Sequence, residues 1–540
     1  MRFLPFIAAF GIVLGISSSG IGYRTLWADE QETAERARSI IATGLPTVYD
    51  PNGNLSLNAA GREIEEGNLH RYTPWLQFYV AAAGLKLGPR LGLSPDASVR
   101  SPFVTLHAAT CGLVADGLIT ALSLGPLVAV GIAVTYGVGS VQLIHARTAR
   151  YHALTSFLFF LAWSLFGTIR RRRAKGDHSS LAPTFALGLT LIALLHSQTI
   201  VGLLGAAVFS LLYFFEDRFS RRTFFLAGLV VLGVVSLFLL TRPWLQGAIW
   251  GPLAYSKFHS LKSWFEVGYS LFFFVFSFLY LSAFRTSPRP DDGWRHELLL
   301  AGLLFFGLLL GVRIFDFHPF SQVRYYLPMV GVFLFWPIAI GGRAFAGSRE
   351  VRRSYVILFF AFFLFSELSG EIPAFQGLRL VHFDFEATQP QPLREAVAMI
   401  QGEGTPGTGV FSEYTPQTVN WYLPEFRPAL IPDRVALSSL GRQNASLPAM
   451  VDPEWYLGYT NRLGYWVCDS GCDSHKLVDS GNSDRYSIIV DSLGKTFHFC
   501  VVRRWQTADW NNAPRVEYLP DSLTPNGPGE FHLVLAKRCP

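Results

Sequence analysis

Charge is scarce in this chain. Only 16% of its 540 residues are Asp, Glu, Lys or Arg, against roughly 25% in soluble domains. That scarcity excludes an ordinary soluble enzyme. The net charge of +6 is spread over short loops between apolar segments, which excludes a nucleic-acid footprint and marks topology instead. Cysteine is also sparse. Cys111 lies inside an apolar segment, and Cys468, Cys472, Cys500 and Cys539 all lie in a polar tail. Four tail cysteines suit two disulfides in an oxidising compartment. Three pairings are open, with Cys468–Cys472 and Cys500–Cys539 as the local one. Zinc is the lesser alternative, because the spacings match no common zinc pattern. There is no internal repeat and no series of charges through the apolar segments, which speaks against a transporter built from two halves.

What the chain has in quantity is apolar residues, 50% of the total, with 46 phenylalanines. A helix needs about 20 apolar residues to cross a bilayer. Candidate spans are 3–22, 101–122, 124–144, 152–169, 181–196, 198–215, 223–240, 264–284, 298–315, 325–342 and 354–370. The first is read as a retained span, because its start is only weakly basic. The stretch 75–88 is apolar but short, and is read as a helix lying in the interface. Eleven spans with the amino terminus in the cytoplasm put Arg170–Arg173, Arg218, Arg221, Arg222, Arg285, Arg289, Arg295, Arg343, Arg349, Arg352 and Arg353 inside, as the positive-inside rule asks. The loop 22–100 and everything beyond about residue 371 then face outside. The expected fold is a polytopic α-helical membrane protein with a C-terminal soluble α/β domain. Its division is 1–370, including the outer loop 22–100, and 371–540.

An acidic pair, Asp29-Glu30, follows the first span directly. Carboxylates near a membrane surface need either a task or water. Either one can cap a helix through residues 31–40, stopped by Gly44 and followed by Pro46. The loop as a whole suits an amphipathic roof folded back on the membrane. In the tail, Gly and Pro punctuation at 402–409 separates a helical stretch, 392–401, from extended runs at 408–412, 487–491 and 531–535.

The order of short motifs resembles the GT-C superfamily of membrane glycosyltransferases, in its protein mannosyltransferase-like and aminoarabinose transferase-like branch. The motifs are Leu26-Trp27-Ala28-Asp29-Glu30 after span one, a helix ending at Gly44 and a Pro74-Trp75 lead into the juxtamembrane helix. They continue with Ile144 to His152 before span four and Arg324-Tyr325-Tyr326-Leu327-Pro328 at a late span. The resemblance covers residues 1–345. It implies transfer of a sugar from a polyprenyl-phosphate-linked donor to a lipid, glycan or protein acceptor, at the periplasmic face of a bacterial inner membrane. It also implies that Asp29 is the base or the group that positions the acceptor. Members often carry a second acid before span four. Here that loop has His145, Arg147, Arg150 and His152 and no carboxylate, which favours a metal-independent reaction with no required cofactor.

The chemistry needs a base for the acceptor hydroxyl or amine, positive charge for the departing phosphate, and a groove for the lipid. A phosphodiester leaving group needs little acid help, so one carboxylate can suffice where glycoside hydrolysis takes two. Asp29 is the candidate base, with Glu30 sharing that role or only capping the helix. The candidate phosphate-binding groups are Arg147, Arg150, Lys257, His259, Lys262, Arg324 and Tyr325, all in outer loops. Each has a plainer reading. Asp is a favoured helix cap, and the arginines and lysines can be structural pairs or solvated charges. Trp421-Tyr422 and Trp455-Tyr456 suit either sugar stacking or core packing, the latter commoner for aromatic residues. The rival function is a lipid or lipid-linked-sugar flippase.

Overall fold

The computed structural model describes residues 3–49, 51–54, 69–71, 73–122, 125–176, 181–216, 220–241, 392–412, 416–429, 451–461, 476–479, 485–490, 495–507 and 531–540. The candidate spans from 264 to 370, and with them the count of eleven, lie outside the described residues. So do Cys468 and Cys472. By internal contacts the chain divides into two compact units. One includes Met1–Ile21 and Ser101–Leu240; the other includes Gly22–Arg100 and Ala387–Pro540. The outer loop thus groups with the C-terminal residues, whereas the sequence-based division kept it with the spans.

In the first unit every described candidate span is helical. These helices are α1 (Leu4–Ser18), α4 (Pro95–Leu122, whose first six residues belong to the other unit), α5 (Pro126–Val138) and α6 (Ser140–Ala146). They continue with α7 (Tyr151–Ala174), α8 (Ala182–Leu195), α9 (Thr199–Glu216) and α10 (Arg221–Leu240). The helices Pro95–Thr120, Tyr151–Arg173 and Arg221–Leu240 are long and apolar enough to cross a membrane. The α10 surface carries exposed Phe224, Val231, Leu232, Val235, Phe238 and Leu239. Such a surface is costly in water and suits lipid or another apolar surface.

Two spans differ from expectation. The segment 124–144 is two helices, because Gly139 turns to an extended conformation (ψ 143°) that ends α5 and starts α6. The helix expected from 101 begins six residues earlier, at Pro95, and runs through Pro102. Its added turns hold Asp96 and Arg100, which find partners described below. Within this unit α5 approaches α1 closely. A Cβ on Gly137 would sit 2.7 Å from Cys111 Sγ and 2.8 Å from a Val13 methyl, so glycine there is a condition of the packing.

The second unit has α2 (Ala28–Thr43), α3 (Leu76–Leu87), α11 (Pro392–Glu403) and α12 (Pro416–Tyr422). Among the described residues its sheet has seven strands: β1 (Gly409–Ser412), β2 (Arg427–Pro428), β3 (Pro453–Asn461), β4 (Lys476–Asp479), β5 (Arg485–Val490), β6 (Lys495–Thr507) and β7 (Phe531–Arg538). The strand order is β2-β1-β3-β7-β6-β5-β4. β1 pairs in parallel with β2 and β3, and the remaining pairs are antiparallel. The α11 residues Leu393, Ala396, Val397 and Ile400 recur at helical spacing. They pack with Val410, Trp455, Leu457, Leu533 and Leu535 from one sheet face, while Phe411, Tyr456, Phe497, Phe499 and Ala536 share a second cluster.

A bulge between Val501 and Arg503 adds one residue to β6. Side chains alternate along a strand, so the insertion moves Trp505 to the face opposite Phe497 and Phe499. There its indole Nε1 donates to Glu395 Oε2 of α11 at 2.7 Å. Cys500 and Cys539 form a disulfide between neighbouring strands, one of the pairings left open by the sequence. Trp455 and Tyr456 are fully buried and belong to the core.

Candidate functional site

The segment carrying Asp29 is held by side chains at several of its backbone polar groups. Arg100 donates from Nη1 to the Arg24 carbonyl (2.7 Å) and from Nη2 to the Thr25 carbonyl (3.0 Å). The Leu26 N–H donates to Tyr422 Oη at 2.6 Å, and the Leu26 carbonyl accepts from Gln31 Nε2 at 2.6 Å. The Trp27 N–H donates to Glu30 Oε2 at 3.2 Å. The Trp27 carbonyl begins α2 by accepting from the Glu30 and Gln31 amides. Leu26 and Trp27 are buried anchors. At the other end of α2, Gly44 stops the helix in the left-handed region (φ +82°), where a side chain would be strained.

The two carboxylates of the acidic pair have different settings. Glu30 is fully buried. Arg100 grips it in a fork, Nε to Oε1 at 2.7 Å and Nη2 to Oε2 at 2.5 Å, the strongest geometry for such a pair. Asp29 is half-buried in the first turn of α2, where the helix dipole favours negative charge. Most of α2 is polar yet buried, including Gln31, Glu32, Thr33, Glu35, Arg36 and Ser39. Several of its polar groups bond within the unit; for example, Arg36 Nη1 donates to the Thr47 carbonyl at 2.5 Å.

Asp96 is a further buried carboxylate of this unit. It accepts from Trp421 Nε1 (3.0 Å) and Tyr422 Oη (3.3 Å), and pairs with Arg394 at 3.4 Å. Burial first, and then the Asp96 charge, push the Tyr422 phenol well up from its ordinary pKa. The phenol therefore stays protonated, donating to Asp96 while accepting from Leu26. The Trp421 ring lies beneath the Arg38 guanidinium, 3.7 Å from its centroid. Trp421 and Tyr422 thus act in packing and bonding within the protein.

In the first unit, the loop before α7 brings His145 and His152 together, with ring centroids 4.8 Å apart. His145, Arg147, Arg150 and His152 are all buried. Arg147 Nη1 donates to the Ser17 and Ser19 carbonyls at 2.9 and 2.6 Å, capping the carboxyl end of α1. Arg150 lies over the Tyr151 ring at 5.6 Å. Lys257, His259, Lys262, Arg324 and Tyr325 lie outside the described residues. Among the described residues no three His, Cys, Asp or Glu side chains cluster to hold a metal ion.

Arg100, Asp96, Gln31 and Thr418 were not among the residues singled out from the sequence, and Tyr422 was named there only for sugar stacking or core packing. One signal pointed to two of them. Asp96 and Arg100 stand four residues apart at the mouth of an apolar segment, so they share a helix face where each charge needs a partner.

No family model matches the chain, and no curated protein matches it in sequence. In structure it is similar to ArnT from Cupriavidus metallidurans in the apo state: 15% identity, TM-score 0.49, covering 85% of this chain and 93% of that one. The same protein bound to undecaprenyl phosphate gives 14%, 0.48, 85% and 93%. The apo oligosaccharyltransferase of Archaeoglobus fulgidus gives 13%, 0.46, 84% and 69%.

Proposed function

We propose that this chain is an inverting membrane glycosyltransferase. It moves a sugar from a polyprenyl-phosphate carrier to an acceptor hydroxyl or amine at the periplasmic face of a bacterial inner membrane. Undecaprenyl phosphate, bound in one of the ArnT structures, belongs to that class of carrier. Asp29 takes the acceptor proton as the acceptor attacks the sugar's anomeric carbon. The bond from that carbon to the phosphate oxygen breaks, and the carrier leaves as its phosphate anion. One displacement inverts the anomeric centre. The reaction requires no cofactor or metal in this reading.

The observation that carries it is the difference between the paired acids. Glu30 is buried with both oxygens engaged by Arg100, whereas Asp29 is half-buried at the start of a helix whose approach is bonded group by group. Glu30 then acts as a positioning residue. Arg147 and Arg150, with Lys257, His259, Lys262, Arg324 and Tyr325 from outside the described residues, are the proposed donor-phosphate set. Arg147 also has a structural duty at α1. The Cys500–Cys539 disulfide supports a tail in an oxidising compartment. The test is Asp29→Asn in the purified protein with undecaprenyl-phosphate-linked sugar as donor. Turnover falls at least about a hundredfold, as for loss of a general base, while insertion and thermal stability are kept. Undiminished turnover removes Asp29 from the mechanism.

A further inference from the structure

The α12 helix sits some 390 residues away from the acidic pair in sequence, yet it is bonded to the peptide that introduces Asp29. Tyr422 Oη accepts the Leu26 N–H at 2.6 Å. The Leu26 carbonyl is reached indirectly. It accepts from Gln31 Nε2, and the other end of that amide, Oε1, accepts from Thr418 Oγ1 at 2.6 Å. Both polar atoms of Leu26 are therefore set by α12, one directly and one through a single side chain. Tyr422 and Thr418 are four residues apart and share one helix face.

α12 is itself oriented from several sides. Asp96 takes Trp421 Nε1 on one oxygen and Tyr422 Oη on the other. Arg38, from the body of α2, donates to the Asn420 carbonyl at 3.2 Å and covers the Trp421 ring. These contacts are buried or partly buried, so water does not readily replace them. A purely packing helix would need apolar contact only. Here the polar bonds converge on one residue, three positions before Asp29, where the direction of the chain sets the direction of the first helical turn.

We propose that Tyr422 and Thr418 of the C-terminal domain are positioning residues for Asp29. They hold the Leu26 peptide so that the carboxylate meets the acceptor in reactive alignment. This rests on the reading of Asp29 as base. A base misplaced by an ångström loses much of its effect without any loss of substrate affinity, so the signature is in kcat rather than KM.

The experiment uses the full-length protein in detergent, with undecaprenyl-phosphate-linked sugar as donor, and compares wild type, Tyr422→Phe, Thr418→Val and Thr418→Ser. Hydrogen–deuterium exchange is read on the peptide spanning Leu26 without any substrate. In Tyr422→Phe and Thr418→Val, exchange there quickens, while kcat falls by about tenfold to a hundredfold with KM within about twofold. Thr418→Ser, which keeps the hydroxyl, restores both. Exchange that is unchanged, or that quickens with no change in kcat, overturns the proposal. A uniform loss of melting temperature that carries kcat and KM together, unrescued by serine, overturns it as well and leaves a structural role. Full turnover in Asp29→Asn removes the base itself and the positioning role with it, and the substrate-free exchange data then distinguish that failure from a clamp that is absent.

Discussion

Two adjacent acids with the same side-chain chemistry take different parts because their surroundings differ. Glu30 points into the interior and meets the Arg100 fork; Asp29, one residue earlier, is half-buried. Adjacent helical residues point about 100° apart, so one can be sequestered while the other faces the margin. A buried ion pair is costly to break from one side, because the remaining charge has no compensation. Arg100→Met is therefore expected to lower stability by about 3–5 kcal/mol, read by thermal unfolding of the purified protein. Combining it with Glu30→Gln recovers part of the loss, since no charge is then left stranded. A loss in the double variant equal to the sum of the two single losses would show that the pair is not coupled. The acidic pair and its place after the first apolar run were legible in the sequence. Arg100 as the partner was not, because 70 residues separate it from Glu30 and no local pattern spans that distance.

Elements follow local rules at their ends and depart from them where remote groups intervene. Gly44 stops α2 where the sequence places the stop, because a positive φ at that position suits glycine. The 392–401 stretch is helical as its apolar spacing requires, extending to Glu403. α4 starts before the apolar run does, because Asp96 and Arg100 are paid for by partners elsewhere in the unit. α1 ends on two carbonyls that Arg147 satisfies. A charged donor to helix-end carbonyls that lack an intrahelical partner is favoured by the dipole as well as by the bonds. Arg147→Gln is expected to cost about 2 kcal/mol, seen as a lower melting temperature in detergent, and Arg147→Lys to retain part of it. A neutral result for glutamine would place the role of Arg147 elsewhere, with donor phosphate the first alternative to assay.

At the scale of the molecule, the C-terminal sheet carries a covalent tie between strands that are already paired. Cys500 and Cys539 are 39 residues apart in sequence, and closing a loop of that length restricts the unfolded chain by an amount worth on the order of 4 kcal/mol. Replacing both by serine is expected to lower the unfolding midpoint of the C-terminal sheet by a corresponding amount. Added reductant gives the same shift in the wild type and none in the variant; a midpoint insensitive to both would count against the tie. Residue type and spacing alone determined that this chain is apolar, helical in its first part and sheet-bearing at its end, with an acidic pair just after the first apolar helix. Those features depend on neighbours within a few turns or strands, where periodicity and the strain of particular residues act. Only the tertiary structure decided that Arg100 takes Glu30, that α2 is buried despite its polarity, and that Tyr422 reaches Leu26. Each of those is a bond between distant residues, and a polar side chain becomes specific only once folding has removed the water that would otherwise satisfy it.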